Sequence, residues 1–544
     1  MAIDHYDTVV VGAGFGGIRT LYELRKLGLT AKCFELGTDV GGTWYWNRYP
    51  GARTDSEAWV YAMNFAPELK DEWNFEERYP GQESVQRNLS QVVDRFDLRK
   101  YITFNTRVST AKYNEHSATW TITTSEGTTV TCRYFIPATG PLSVGRELPF
   151  AGLKRFKGEH YQASKWPKQH VDLRGKRVAL VGTGATGVQI IPKIAPHVKE
   201  LTVFQRTPNY VLPGRNYTID EHQAAEIKQN FQKAWTAATN HPFGLAMEDP
   251  NLAAGNVTEA DTLRQVLDSG WESGGFHFQF ETFSDLFTDA KSNLIASDYL
   301  RNKIRAVVKD QKTAELLCPN YPFLSKRPPC GHQYYETFNR PNVKLVDISK
   351  DDIDMYEDGI RTQSGSDYEF DVIIFALGFD AATGALCEMD VTGRQGLSLR
   401  DHWEEKLDTF AGILVPNFPN MFMVCGPHAP FGNMPVVEEV EVNWIGKTIE
   451  HMEREGFTSI DVPSKAADAW STHVTEAFEA TLFAESAGQV HAWFVGANVP
   501  GKPRRVLFYF GGVPTWNSWL EHETKTNWSS MKLGSAQSNG HVKA

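Results

Sequence analysis

Residues 6–37 read YDTVVVGAGFGGIRTLYELRKLGLTAKCFELG, and this stretch decides the fold class. Asp7 to Val11 is a short β-branched run, as a strand buried on both faces requires. Gly12, Gly14 and Gly17 follow at G-x-G-x-x-G spacing, and Leu21, Leu24 and Leu27 then recur at helical spacing. A second strand is expected from about Ala31, ending in the acid Glu35. Gly12 permits a tight turn, and Gly14 lets the backbone approach a pyrophosphate, which then rests on the helix N-terminus. Glu35 can hold ribose hydroxyls. Strand, glycine loop, helix and acid in this order define a dinucleotide-binding unit.

The unit occurs twice. Residues 175–209 read GKRVALVGTGATGVQIIPKIAPHVKELTVFQRTPN, with Gly182, Gly184 and Gly187 at the same spacing. In the first unit the acid lies 35 − 12 = 23 residues after the first glycine; the same offset from Gly182 reaches Gln205. An acid there would repel a 2′-phosphate. A neutral amide does not, and Arg206 and Thr207 beside it offer a charge-assisted fork and a hydroxyl. The first unit therefore suits FAD and the second NADP(H).

Two such sites imply electron flow from a nicotinamide to a flavin. The six cysteines form no C-x-x-C pair, so a dithiol acceptor is lacking, and no Cys or His cluster points to an iron–sulfur centre, a haem or another metal. Dioxygen is the remaining common acceptor, which points to a flavin monooxygenase or oxidase. The net charge of −11, without a basic run, argues against nucleic acid as a partner. No apolar run approaches the roughly 18 residues of a membrane span. A strand starting at Asp7 leaves no room for a secretory leader, and the cysteines read as reduced thiols, so a cytoplasmic location is expected.

Residues 41–55, GGTWYWNRYPGARTD, gather aromatic side chains, two arginines and an acid in one loop, a composition suited to a flavin wall. Here the sequence resembles the Baeyer–Villiger monooxygenases. Their motif of Gly-x-Trp, four residues, aromatic-Pro-Gly, three residues and Asp is met by Gly42, Trp44, Tyr49, Pro50, Gly51 and Asp55. Between the two units, residues 156–167 read FKGEHYQASKWP, an irregular segment that reads as a loop although it carries Phe156, Tyr161 and Trp166. It resembles the family fingerprint F-x-G-x-x-x-H-x-x-x-W-P through Phe156, Gly158, Trp166 and Pro167. The histidine position is Gln162, and His160 lies two residues out of phase. The resemblance implies a hinge between the nucleotide domains. Gln162 can donate and accept hydrogen bonds there but carries no charge.

The resemblance spans nearly the whole chain and implies a set of site residues. In 319–343, PNYPFLSKRPPCGHQYYETFNRPNV, Arg327 corresponds to the active-site arginine and Lys326 to a partner of Arg206 at the 2′-phosphate. Asp55 is expected to pair with Arg327. Around the flavin the resemblance implies Phe15, Thr43, Trp44, Asp55, Tyr61, Val108 and Met434 beside Gly12, Gly14, Gly17 and Glu35. Around the nicotinamide nucleotide it implies Arg53, Thr183, Ala185, Thr186, Gln189, Arg206, Thr207, Lys326, Arg327, Leu377 and Trp493. Leu377, in DVIIFALGFD, replaces a threonine usual in the family.

The expected architecture is α/β: two Rossmann-like dinucleotide-binding domains with a mostly helical insertion. The FAD domain spans 1–141 and 381–544, the NADP domain 151–215 and 334–380, and the insertion 216–333; a disordered tail is expected from about Gly534. The implied activity takes a ketone, dioxygen and NADPH to an ester or lactone through a C4a-peroxyflavin, in a monomer or weak oligomer. A flavin monooxygenase oxidising nitrogen or sulfur needs the same two nucleotide sites and stays open as an alternative.

Overall fold

The structure is a computed structural model that describes residues 3–535. Strand Asp4–Val11 lies inside a seven-stranded sheet, parallel to Ala31–Phe34 on one side and to Thr129–Pro137 on the other. The order is Asp390–Thr392, Val108–Asn114, Thr119–Thr124, Thr129–Pro137, Asp4–Val11, Ala31–Phe34 and Ile102–Thr103. Val9 and Val10 are fully buried, as a strand covered on both faces demands. The strand begins three residues before the β-branched run, because Asp4 to Tyr6 pair with Val130 to Cys132 although they bury little surface. Helix Phe15–Lys26 follows; its buried Ile18, Leu21 and Leu24 face the core, and it packs against the long C-terminal helix Met434–Glu455.

The second sheet has five strands, all parallel, in the order Val343–Asp347, Glu200–Gln205, Arg177–Val181, Val372–Phe375 and Glu159–Gln162. Helix Ala185–Ile194 makes the crossover after the second glycine loop. The last strand corrects the reading of 156–167 as a loop, since Glu159–Gln162 pairs with Val372–Phe375. It lies at the sheet edge and buries little, so its polar residues give no apolar signature. Phe156 and Trp166, flanking it, are buried and belong to cores on the two faces of this sheet.

The insertion is mainly helical, with Glu221–Asn240, Ala260–Ser273, His277–Phe280, Ala290–Val307 and Gln311–Leu317. Asp220 opens it with a reciprocal capping box to Gln223. Leu212–Pro213 pairs with Cys330–Gly331, drawing the two ends of the insertion together. Downstream, Lys532–Ser535 pairs antiparallel with Phe457–Asp461. This corrects the tail boundary: Gly534 and Ser535 belong to a strand whose partner lies far away in sequence, and the remainder of the expected tail falls outside the described residues. Among the described residues, no helix is long and apolar enough to cross a membrane.

Candidate active site

The first glycine loop is built to admit an anion. Gly12 has φ +103°, and a Cβ on it would stand 2.5 Å from the Ala138 carbonyl oxygen, so only glycine makes this turn. A Cβ on Gly17 would stand 1.9 Å from the Gly12 oxygen, so helix and loop pack at closest approach. The helix begins at Phe15 with Gly14 as its N-cap, no side-chain cap and no acid in its first turn. Its leading N–H groups are therefore available to a pyrophosphate, and this donor set fits a dinucleotide. Glu35 is buried and accepts hydrogen bonds from Ala13 N at 2.7 Å and Gly37 N at 2.6 Å. Burial pushes its carboxyl up while those two amides pull it down. A carboxylate with two amide donors retains further acceptor positions for ribose hydroxyls.

The second loop repeats the plan. Gly182 has φ +112°, and its Cβ would stand 2.4 Å from the Ala376 oxygen. Gly184 caps helix Ala185–Ile194 without a side-chain cap, and a Cβ there would meet nothing within 4 Å. That open space leaves room for a phosphate of NADP(H).

One cavity of about 820 Å³ joins the two halves. Of the residues expected at the flavin, Thr43, Trp44, Tyr61 and Met434 line it, and of those expected at the nicotinamide nucleotide, Gly182, Thr183, Gly184, Ala185, Thr186 and Gln189. Arg206, Thr207, Lys326, Leu377 and Trp493 also line it, with Arg53, Asp55 and Arg327, whereas Gly12, Gly14, Phe15, Gly17 and Glu35 do not. Trp44 Nε1 donates to the Tyr61 hydroxyl at 3.2 Å, and Tyr61 meets Trp44 and Phe15 edge to face. Gly187 packs behind its loop, its Cβ position 2.2 Å from the Gly182 oxygen. Val108 is not brought to the cavity: it starts a strand and is buried in the core of the first sheet.

Arg327 Nη1 donates to Asp55 Oδ2 at 2.6 Å. The backbone fixes both partners. Asn209 Nδ2 donates to the Arg327 carbonyl at 3.2 Å, Cys330 N donates to Asp55 Oδ1 at 3.4 Å, and two buried prolines follow Arg327. Burial pulls the guanidinium down, but the charge and hydrogen bond of Asp55 outweigh it and raise Arg327 above its ordinary value. Arg53 instead faces Glu77 at 3.5 Å.

A second group of cations has no such partner. Burial lowers Arg206, and Lys326 is pulled down to about 8 by burial and then by the Arg206 charge. Neither makes an ion pair with a described residue. Gln205 does not face this site: its Nε2 donates to the Leu316 carbonyl at 2.7 Å, so its side chain ties the strand end to the insertion.

The linker residues lie beside the second sheet. A Cβ on Gly158 would stand 2.5 Å from Phe156 Cζ and 2.6 Å from the Asp371 oxygen, so the turn requires glycine. Trp166 packs against Tyr161, and Pro167 follows it outside the strand. Gln162 Nε2 donates to the Arg146 carbonyl at 2.7 Å.

Sequence reasoning missed Arg146, which lines the cavity from the connection after the first sheet. It also missed an aromatic wall drawn from distant segments: Phe243, Phe280 and Phe287 from the insertion, and Phe431, Phe483 and Phe510 from the C-terminal part. Phe431 stacks on Phe510 at 4.8 Å, and Phe280 on Phe287 at 5.9 Å. Each phenylalanine alone reads as ordinary core, and only folding brings them together. Among them Gln279 is buried, and its side-chain oxygen has no hydrogen-bond partner.

Fold and site together define an FAD- and NADP(H)-dependent oxidoreductase. The family model described as flavin-binding monooxygenase-like matches residues 6–222. The chain is 40% identical over 529 residues to a Baeyer–Villiger monooxygenase of Pseudooceanicola batsensis, covering 97% of this chain and 96% of that one. It is 39% identical to a cyclohexanone 1,2-monooxygenase of an Acinetobacter species, covering 94% of each chain. It is 38% identical to a phenazine N-monooxygenase of Lysobacter antibioticus, covering 98% of each. The NADP⁺-bound cyclohexanone monooxygenase of Rhodococcus sp. Phi1 superposes with a TM-score of 0.95 at 37% identity, covering 98% of this chain and 100% of that one. The chain belongs to the Baeyer–Villiger monooxygenase family, and its cofactors are FAD and NADP(H).

Proposed function

We propose that this chain is an NADPH- and dioxygen-dependent monooxygenase that converts ketones to esters or lactones, with Arg327 as the active-site cation and Asp55 as its positioning residue. The observation that carries the reading is the Arg327–Asp55 pair on the wall of the cavity that both nucleotide-binding halves line. Bound FAD, reduced by NADPH, supplies activated dioxygen for insertion beside a ketone carbonyl. The protein's part is orientation, charge and exclusion of water. Arg327 presents a guanidinium that stays protonated, so it can stabilise negative charge on substrate oxygen throughout turnover. Asp55 fixes where that charge stands. Trp44, Tyr61 and Met434 flank the flavin, Thr186 and Gln189 the nicotinamide nucleotide, and Arg206 with Lys326 faces the 2′-phosphate. The aromatic wall keeps water from the reacting centre and receives apolar ketones.

Sheet membership supports a division into an FAD domain of 1–141 and 381–544, an NADP domain of 151–215 and 334–380, and an insertion of 216–333. The six free cysteines support a reducing, cytoplasmic location. The partners are a small ketone and dioxygen, without nucleic acid or membrane, in a monomer or weak oligomer.

The test is a panel of linear, cyclic and aryl ketones with product analysis. One ester or lactone per NADPH consumed is expected; NADPH oxidation yielding only hydrogen peroxide across the panel would overturn the reading. A second reading, oxidation of nitrogen in an aromatic heterocycle, is favoured by the phenazine N-monooxygenase relative. N-oxide formation without ester from any ketone would select it.

A further inference from the structure

Arg146 belongs to none of the sequence motifs, yet it stands where the chain leaves the first sheet and enters the linker. We propose that Arg146 is a third cation of the 2′-phosphate site of NADP(H), and that Gln162 holds it in place.

The first support is position. Arg146 lines the same cavity as Arg206 and Lys326, and its Nη1 lies 3.4 Å from the Leu377 carbonyl oxygen on the cavity wall. The second is electrostatic. Burial and then the Arg206 charge lower both Arg146 and Lys326, and burial lowers Arg206 itself. None of the three reaches an acid within ion-pair distance among the described residues. Asp352, which lines the cavity and favours the Arg206 charge, does not close a bridge. Like charges gathered on a half-buried wall repel until an anion enters between them. A phosphate dianion is the group that balances such a cluster, and an arginine fork matches its geometry.

The third support is how Arg146 is held. Arg146 N donates to the Gly378 carbonyl at 3.1 Å, Gly145 bridges Phe379, and Gln162 Nε2 donates to the Arg146 carbonyl at 2.7 Å. The fit is close, since a Cβ on Gly145 would stand 3.0 Å from Gln162 Nε2. Gln162, a departure from the family pattern, thus bears on Arg146 through its side chain, whereas Leu377 meets Arg146 only through its backbone carbonyl. Gln162 sits in the edge strand Glu159–Gln162, so a shift of that strand carries Arg146 toward or away from the phosphate. Linker position and cofactor charge become one equilibrium.

The inference rests on the reading of Arg206 and Lys326 as the 2′-phosphate site, and one experiment separates the two. Binding of adenosine 2′,5′-bisphosphate and of 5′-AMP to the FAD-loaded enzyme is measured by calorimetry at several salt concentrations. A parent enzyme that does not prefer the bisphosphate overturns the site reading, and the inference with it. Given that preference, Arg146→Ala should weaken the bisphosphate about 10-fold, leave 5′-AMP unchanged and flatten the salt dependence. Arg146→Met, which keeps the aliphatic stem, should behave alike and decides the matter if the alanine variant loses FAD. Gln162→Ala should lose part of the same preference and Gln162→His should restore it. Unchanged bisphosphate affinity in the Arg146 variants, or an equal loss for both ligands, would overturn the proposal.

Discussion

Arg327 and Asp55 stand 272 residues apart in the chain and 2.6 Å apart in space. One comes from the loop that ends the insertion, the other from the loop that follows the first dinucleotide unit. The pair therefore measures whether the two halves are correctly assembled. Asp55→Ala leaves the half-buried guanidinium without its acceptor, at about 1–3 kcal/mol. Ester formation should fall by more than about 10-fold, with FAD still bound and NADPH use diverted to hydrogen peroxide. Product and peroxide assays on the same sample check this; an unchanged ester yield would remove Asp55 from the site.

Arg206→Ala should raise the apparent NADPH dissociation constant by roughly 10- to 150-fold, the equivalent of one charge-assisted bond of about 1.5–3 kcal/mol. NADH should be nearly unaffected. Steady-state KM values for both cofactors report the difference, and equal losses would mark Arg206 as structural.

Lys326 predicts a pH dependence. Burial, then the Arg206 charge, pull it down to about 8. The ammonium is the form that attracts phosphate, so it is present below about pH 8 and lost above. The preference for NADPH over NADH should hold steady up to that point and decline beyond it. Lys326→Arg keeps its charge and should extend the plateau. The KM ratio of the two cofactors, followed across pH, reads this directly.

His277 joins the insertion to the active-site loop: Nδ1 lies 2.6 Å from Glu281 Oε2 and Nε2 3.1 Å from Glu57 Oε1. Burial pulls this histidine down, but its two glutamate partners prevail and lift it from 6.5 to about 9. A folded value above the unfolded one means the contribution is fully present below about pH 6.5 and fades as pH rises through about 9. The shift corresponds to a stabilisation on the order of 3 kcal/mol. Thermal melts should show wild type losing its advantage over His277→Gln across that window; parallel curves would show that the cluster does not titrate.

Both glycine units, the acid at Glu35 and its absence at Gln205 were legible in the sequence because each is local and periodic. So was the Arg327–Asp55 pair, though only through family resemblance. The edge strand Glu159–Gln162 was not, since an edge position asks for little apolarity and its pairing partner lies some two hundred residues downstream. The strand at Gly534 and Ser535 was hidden for the same reason. Arg146 and the phenylalanine wall carry no local mark, because their meaning comes only from what folding sets beside them.

The strand order of the second sheet has a consequence for synthesis of the chain. Val372–Phe375 sits between Arg177–Val181 and Glu159–Gln162, so the earlier strands cannot close without it. A nascent chain that has emerged only through the second glycine unit holds Glu159–Gln162 with no neighbour and Arg177–Val181 with one open edge. The ribosome must deliver 375 − 209 = 166 further residues, the whole insertion included, before that edge is covered. At about 5–20 residues per second this is an exposure of about 10–30 seconds. Fragments ending before residue 375 keep that edge open and should aggregate rather than fold.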